Sequence, residues 1–195
     1  MIRKKVKVAV LAVQGDFIEH EIMLRKLGID VIKLRKQEDL LDKFDALVLP
    51  GGESTVQEKL LKELGMLTQL RQLILNGMPV LATCAGLVLL AETIEAEERE
   101  NFHLLPVTVR RNAYGRQLGS FFFKGKISGI EGDEFPMRFI RAPYITAVRD
   151  DVQVLARDKE EHIVGVNYKK MLALAFHPEL TEDTRIHRLF LQMIE

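Results

Sequence analysis

The sequence contains one cysteine, Cys84, set in the run Val80-Leu81-Ala82-Thr83-Cys84-Ala85-Gly86-Leu87-Val88-Leu89-Leu90. That run predicts an apolar strand, a tight turn of small residues and an apolar helix. A nucleophile on a sharp strand-to-helix turn is lifted above the sheet, as in a nucleophile elbow. The start of the helix favours the thiolate. The N–H of Ala85 would point at an oxyanion forming beside the sulfur, and Gly86 leaves room for a substrate. The alternative reading is a small buried hydrophobe at a helix start.

A thiolate needs a proton carrier, and there are five histidines. His20 and His187 fall in helix-like stretches among charged residues and are expected on the surface. His103 follows an acidic cluster, Glu92 to Glu100, which reads as a solvated loop or helix end. His162 stands among Lys159, Glu160 and Glu161. His177 differs, because it follows the apolar run Leu172-Ala173-Leu174-Ala175-Phe176 and precedes Pro178 and Glu179. A histidine at the end of a buried strand sits where open α/β sheets hold their ligands. Pro178 stiffens the turn, so Glu179 could orient one ring nitrogen and leave the other for Cys84. An ordinary strand-ending His-Pro turn would look the same.

A third segment, Leu47-Val48-Leu49-Pro50-Gly51-Gly52-Glu53-Ser54-Thr55, reads as a buried strand entering a glycine turn and a helix. Two glycines let backbone N–H groups approach a ligand closely. No Gly-Lys-Ser/Thr follows and no GxGxxG is present, so this is neither a P-loop nor a dinucleotide turn. Spacings of the CxxC or HExxH kind are absent, and no metal or other cofactor is expected.

The elements that must position these groups are legible as patterns. Strands are expected over Lys5–Val13, Asp30–Leu34, Ala46–Leu49 and Pro79–Ala82. Helices are expected from Phe17 to Leu27, Thr55 to Leu64 and Met66 to Leu75. In the first helix Phe17, Ile18, Glu21, Ile22 and Leu24 to Leu27 fall at helical spacing, with Gly28 as the stop. Alternation of strand and helix argues for a parallel sheet covered on both faces. After Glu100 come short β-like runs and then a closing amphipathic helix, Asp183 to Ile194. The expected fold is a flavodoxin-like three-layer α/β sandwich, with a mostly parallel central sheet and a small antiparallel β insertion in the second half. A length of 195 residues suits one domain spanning 1–195.

Composition narrows the partners. Lys plus Arg is 28 and Asp plus Glu is 28, and no basic stripe offers a grip on nucleic acid. No apolar run approaches the ~20 residues of a membrane span. Lys7 interrupts the first apolar stretch, so no signal peptide is expected, and the location is read as cytoplasmic.

Taken in order, P-G-G-E-S-T, T-C-A-G-L and F-H-P-E resemble the class I, or triad, glutamine amidotransferases. Within that group the chain is similar to the glutaminase subunits of pyridoxal 5′-phosphate synthases. The narrower likeness rests on Leu11-Ala12-Val13-Gln14-Gly15, Gly51-Gly52-Glu53-Ser54-Thr55, Arg111-Asn112-Ala113-Tyr114-Gly115-Arg116-Gln117 and Phe139-Ile140-Arg141-Ala142-Pro143. Val13 replaces a leucine common in that group. The resemblance implies Cys84 as nucleophile, His177 as base and acid, and Glu179 as orienter. It implies an oxyanion hole from Gly52 and Ala85, with Gln14 joining once a partner docks. It implies Gly52, Glu53, Ser54, Arg111, Ile140 and Arg141 around the substrate, L-glutamine. The implied partner is a synthase subunit, a (β/α)8 barrel that consumes the ammonia. Rival readings are the glutaminase subunit of another amidotransferase such as imidazole glycerol phosphate synthase, a cysteine hydrolase or peptidase of similar fold, and a non-catalytic regulatory module.

Overall fold

A computed structural model describes residues 5–115 and 119–194. Arg116 and Gln117, which figure in the sequence patterns, lie outside them. The first half runs β1 (Lys7–Leu11), α1 (Phe17–Lys26), β2 (Asp30–Leu34), β3 (Ala46–Leu49), α2 (Ser54–Glu63), α3 (Leu67–Leu75), β4 (Val80–Thr83) and α4 (Ala85–Leu90). Strands β3 and β4 are buried at every position, and β1 at all but its first. That is why they read as unbroken apolar runs rather than alternating ones.

The second half adds β5 (Ala91–Ile94), β6 (Leu105–Arg110), β7 (Ser120–Gly125), β8 (Phe135–Ile140), β9 (Tyr144–Val148), β10 (Gln153–Arg157), β11 (Ile163–Tyr168), β12 (Met171–Leu174) and α5 (Arg185–Gln192). The main sheet has the order β2-β1-β3-β4-β12-β11-β9-β6-β5, with β10 paired to β11. From β2 to β12 every pairing is parallel. The fold class is the one expected, with one difference. Most of the antiparallel strands extend the main sheet, and only β7 and β8 form a separate two-stranded ribbon. The short strand β5, directly after α4, has no counterpart in the sequence reading.

Right-handed crossovers put the helix between β1 and β2 on one face and those between β3 and β4 on the other. The α5 helix shares the face of α1, since the rings of His20 and His187 lie 5.4 Å apart. Helix α4 packs against α2 on the opposite face.

Register then determines where the chemistry falls. Leu49 pairs with Ala82, and Leu174 pairs with Thr83. Strands β3, β4 and β12 therefore end side by side. Gly51 follows the first by two residues, Cys84 the second by one and His177 the third by three. All three motifs gather at the carboxyl edge of the parallel strands, where open α/β sheets bind ligands.

Helix α1 corrects the sequence reading. Its buried residues are His20, Met23 and Leu24, whereas Ile18 and Ile22 are 53% and 48% exposed. The i, i+3, i+4 stripe facing the sheet is led by a histidine, so a search for apolar residues selects the wrong face. Leu24→Ala is therefore expected to destabilise the chain by about 2–5 kcal/mol. Ile22→Ala should change stability by less than about 0.5 kcal/mol. Urea unfolding of the two variants measures both, and equal effects would contradict this orientation.

Candidate active site

Cys84 caps α4 with φ +46° and ψ −99°, a backbone conformation that L residues rarely adopt. Its own N–H is held by Leu174 O at 2.8 Å, so β12 braces the elbow. The side chain is 7% exposed, and its sulfur lies 3.9 Å from Ile140 O on β8. Among the described residues no acceptor engages the N–H groups of Gly52 or Ala85.

His177 is 2% exposed, and its backbone N–H donates to Arg138 O at 2.8 Å. Ring atom Nδ1 sits 2.7 Å from Glu179 Oε1 and 3.3 Å from Asp16 Oδ2. Nε2 is buried and has no hydrogen-bond partner among the described residues. Cys84 lies near enough to the ring to add to its proton affinity. Burial opposes the charged imidazole, but Asp16, Cys84 and Glu179 outweigh it and raise the His177 pKa. Burial also pushes Glu179 up, against the pull of His177. The pair holds one proton tightly, and with two carboxylates facing the ring it rests on the imidazole. Asp16, His177 and Glu179 bring ligand atoms within 4.8 Å of one another, the only such group among the described residues able to hold a metal ion. At 2.7 Å, however, Nδ1 and Oε1 are at the separation of a charge-assisted hydrogen bond.

The glycine turn fits against this pair. A Cβ on Gly51 would run into the His177 ring, and Gly52, at φ +152°, passes against Gln14. Gln14 Oε1 accepts the Glu53 N–H at 2.9 Å, while buried Gln57 donates to Gln14 O at 2.9 Å and Pro50 O at 3.2 Å. The Gln14 and Gly51 loops are thus one unit.

A cleft of about 340 Å³ opens above Cys84. It brings together Cys84, Gln14, Gly52, Glu53, Ser54, Ala85, Arg111, Ile140, Arg141 and His177, which are all the expected site residues except Glu179, buried behind His177. Asp16, Val88, Asn112 and Pro143 also line it and were not anticipated. Arg111 Nη1 is 2.9 Å from both carboxylate oxygens of Glu97. The acidic cluster expected to be a solvated loop therefore supplies the partner of a cleft arginine. Arg141, largely exposed, faces Glu53 at 3.6 Å across the mouth.

Two histidine expectations are overturned. His20 and His187 are fully buried, with His20 Nδ1 3.2 Å from His187 Nε2. His20 Nε2 lies 3.1 Å from Thr83 Oγ1 and 3.3 Å from Glu179 Oε2. Thr83 Oγ1 in turn accepts the Gly51 N–H at 3.0 Å. A signal existed, since His20 precedes Met23 and Leu24 at helical spacing, but flanking charges masked it.

The SNO glutamine amidotransferase family matches residues 10–195, and the chain belongs to that family. It is 53% identical over 188 residues to the pyridoxal 5′-phosphate synthase subunit PdxT of Desulfitobacterium hafniense, covering 96% of this chain and 93% of the relative. It is 48% identical to the subunit of the same name from Methanocorpusculum labreanum, covering 96% and 97%. A crystal structure of a glutamine amidotransferase superposes with a TM-score of 0.89 at 42% identity, over 96% of this chain and 98% of that one.

The buried histidines make stability depend on pH. Burial pushes His187 down to about 4 from an ordinary 6.5. Burial, then His187 and His177, hold His20 well below its ordinary value. Between about pH 4 and 6.5 the unfolded chain binds more protons at these sites, so their contribution raises stability with pH and is lost as pH falls. In urea titrations His187→Leu is expected to flatten that dependence. An unchanged slope would show that the native ring is not held neutral.

Proposed function

We propose that the chain hydrolyses L-glutamine to L-glutamate and ammonia at Cys84, and delivers the ammonia to the synthase subunit of a pyridoxal 5′-phosphate synthase. The observation that carries this reading is the cleft in which an elbow cysteine meets a histidine whose far nitrogen is 2.7 Å from a buried carboxylate. Its support includes membership of an amidotransferase family and close similarity to proteins named as synthase subunits.

In this reading the Cys84 thiolate attacks the side-chain carboxamide carbon of glutamine. The N–H groups of Gly52 and Ala85 hold the oxyanion, and losing one such donor costs about 2.7–4 kcal/mol in the barrier. His177 gives its proton to the departing ammonia, leaving a thioester, and then takes one from the water that hydrolyses it. Glu179 keeps the imidazole in register throughout. Arg111, Arg141, Glu53, Ser54 and the Ile140 segment meet the α-carboxylate and α-ammonium of glutamine. With its Oε1 engaged by the Glu53 N–H, Gln14 completes the hole only after rearrangement, which docking of the synthase subunit would drive. Ammonia released to bulk water would be protonated and lose its nucleophilicity, so the product leaves into that partner.

The proposal includes one amidotransferase domain over residues 1–195 and a cytoplasmic location. No helix among the described residues is long and apolar enough to cross a membrane, and a working thiolate suits a reducing compartment.

With the synthase subunit present, Cys84→Ala is expected to abolish glutamine-dependent synthesis and leave ammonia-dependent synthesis intact. Glutamate release by the native chain should rise on adding that subunit. Retention of glutamine-dependent synthesis by Cys84→Ala would sink the reading, and equal glutamate release without the partner would sink the gating by docking. A second expectation concerns Glu97, which holds Arg111 by one nitrogen and leaves the rest of the guanidinium to the cleft. Glu97→Gln should raise KM for glutamine about 3–10-fold with kcat nearly unchanged. Steady-state kinetics of the complex checks it, and a fall in kcat at constant KM would refute it.

A further inference from the structure

We propose that His20 is a positioning residue of the triad, its Nε2–H held on Thr83 Oγ1 beside the second oxygen of Glu179 and its tautomer fixed by His187. This inference rests on the reading of Cys84, His177 and Glu179 given above and extends it to a fourth and a fifth side chain. The starting point is a deficit. The Glu179 side chain is completely buried, Oε1 faces His177, and Oε2 has no hydrogen-bond partner of good geometry among the described residues. A buried carboxylate oxygen facing no donor is costly. The imidazole nitrogen His20 Nε2 lies 3.3 Å from it.

The tautomers can be sorted by counting hydrogens. A neutral imidazole has one N–H. If His20 carries it on Nδ1, that N–H points at His187 Nε2, a lone pair faces the Glu179 carboxylate, and His187 Nδ1–H is left as an orphan donor. If His20 carries it on Nε2, the N–H lies toward Glu179 Oε2 and Thr83 Oγ1, and His187 Nε2–H donates into His20 Nδ1. In this arrangement His187 Nδ1, an acceptor, goes without a partner and the Thr83 hydroxyl hydrogen loses the acceptor it has in the first, so each arrangement leaves one buried donor unpaired among the described residues. The difference lies at Glu179, whose buried carboxylate faces a lone pair in the first arrangement and the positive end of an N–H in the second. The second arrangement wins.

The consequence reaches the catalytic imidazole because two carboxylates compete for His177 Nδ1. Glu179 is buried, whereas Asp16, on the loop leading into α1, is about one-third exposed at 3.3 Å. With the His20 Nε2–H held 3.3 Å from Oε2 by Thr83, its positive end stabilises the Glu179 carboxylate in the ionised form. Without that donor Glu179 more readily takes a proton, and His177 turns toward Asp16 and away from Cys84. Through Thr83 Oγ1, which accepts the Gly51 N–H, the same imidazole also braces the glycine turn. The titratable groups around this core are His187 from α5, Glu179 and His177 from the turn after β12, and Asp16.

The test uses the complex with the synthase subunit and two variants. His20→Phe keeps bulk and removes the donor, and His20→Gln restores an N–H near the Nε2 position. His20→Phe is expected to lower kcat for glutamine hydrolysis about 10–100-fold with KM little changed, and to move the acid limb of the pH–rate profile upward. His20→Gln should recover most of both, and ammonia-dependent synthesis should be untouched in each. Wild-type kcat in His20→Phe, or equal losses in both variants with an unmoved pH profile, would overturn the proposal while leaving the role of Cys84 standing. Should His20→Phe fail to fold, ¹⁵N-histidine NMR of the native chain decides. A neutral Nε2–H tautomer at His20 supports the proposal, and an Nδ1–H tautomer or an imidazolium refutes it.

Discussion

A carboxylate taken entirely out of water has to find its compensation inside the protein, and Glu179 is such a group. Its first oxygen is met by His177 at 2.7 Å, and that contact engages Nδ1 and leaves Nε2 without a hydrogen bond among the described residues. Much of the surrounding architecture follows from keeping the pair dry and in register. The turn at Pro178–Leu180 presents Glu179 from below, and the His177 backbone N–H is tied to Arg138 on β8. Gly51 is glycine because any Cβ there would displace the ring. An exposed pair would be worth little. Enclosed here, the same pair dictates a tautomer.

The parallel strands deliver these groups without long loops. Because β3, β4 and β12 are neighbours in register, three segments far apart in sequence reach a common edge within one to three residues of their strand ends. The price of that economy is strain at Cys84, whose left-handed backbone is held by Leu174 O behind it and by a packed helix ahead. Such conformations persist only where the surroundings over-determine them. Here burial of the whole of β4 and α4 does so.

This logic explains which parts were legible in the sequence. The parallel half shows itself because fully buried strands must be apolar and glycine turns must be glycine, so Cys84, His177, Glu179 and the Gly51-Gly52 turn stand out as punctuation at strand ends. His20 and His187 stay hidden because a polar side chain on a core-facing stripe contradicts the rule by which stripes are recognised. Ile18 and Ile22, on the outer face of the same helix, reinforce the error. Glu97 is invisible for a different reason. Its partner Arg111 lies 14 residues on, and nothing local distinguishes one glutamate of an acidic run from the next. The antiparallel half shows its strands but not their pairing, since short alternating strands reveal their faces but not their neighbours.

That second half supplies what the nucleophile side lacks. Tyr114, in the loop carrying Arg111 and Asn112, donates to Asp158 Oδ2 at 2.7 Å, and Asp158 is 3% exposed. The same carboxylate accepts the Glu160 and His162 N–H groups and faces His162 Nδ1 at 3.0 Å. The Tyr114 ring also meets Phe121, Phe139 and Tyr144 edge-on. Phe139 immediately precedes Ile140 and Arg141 of the cleft wall, so one aromatic cluster anchors both the Arg111 loop and the end of β8. A buried carboxylate satisfied by several donors fixes a loop more firmly than surface contacts could. The cleft is thereby bounded by two such anchors, Glu179 under the imidazole and Asp158 under the guanidinium side. Under the proposed reading the first governs the chemistry on the carboxamide and the second governs which amino acid reaches it, and the chain joins them through the hairpin of β11 and β12.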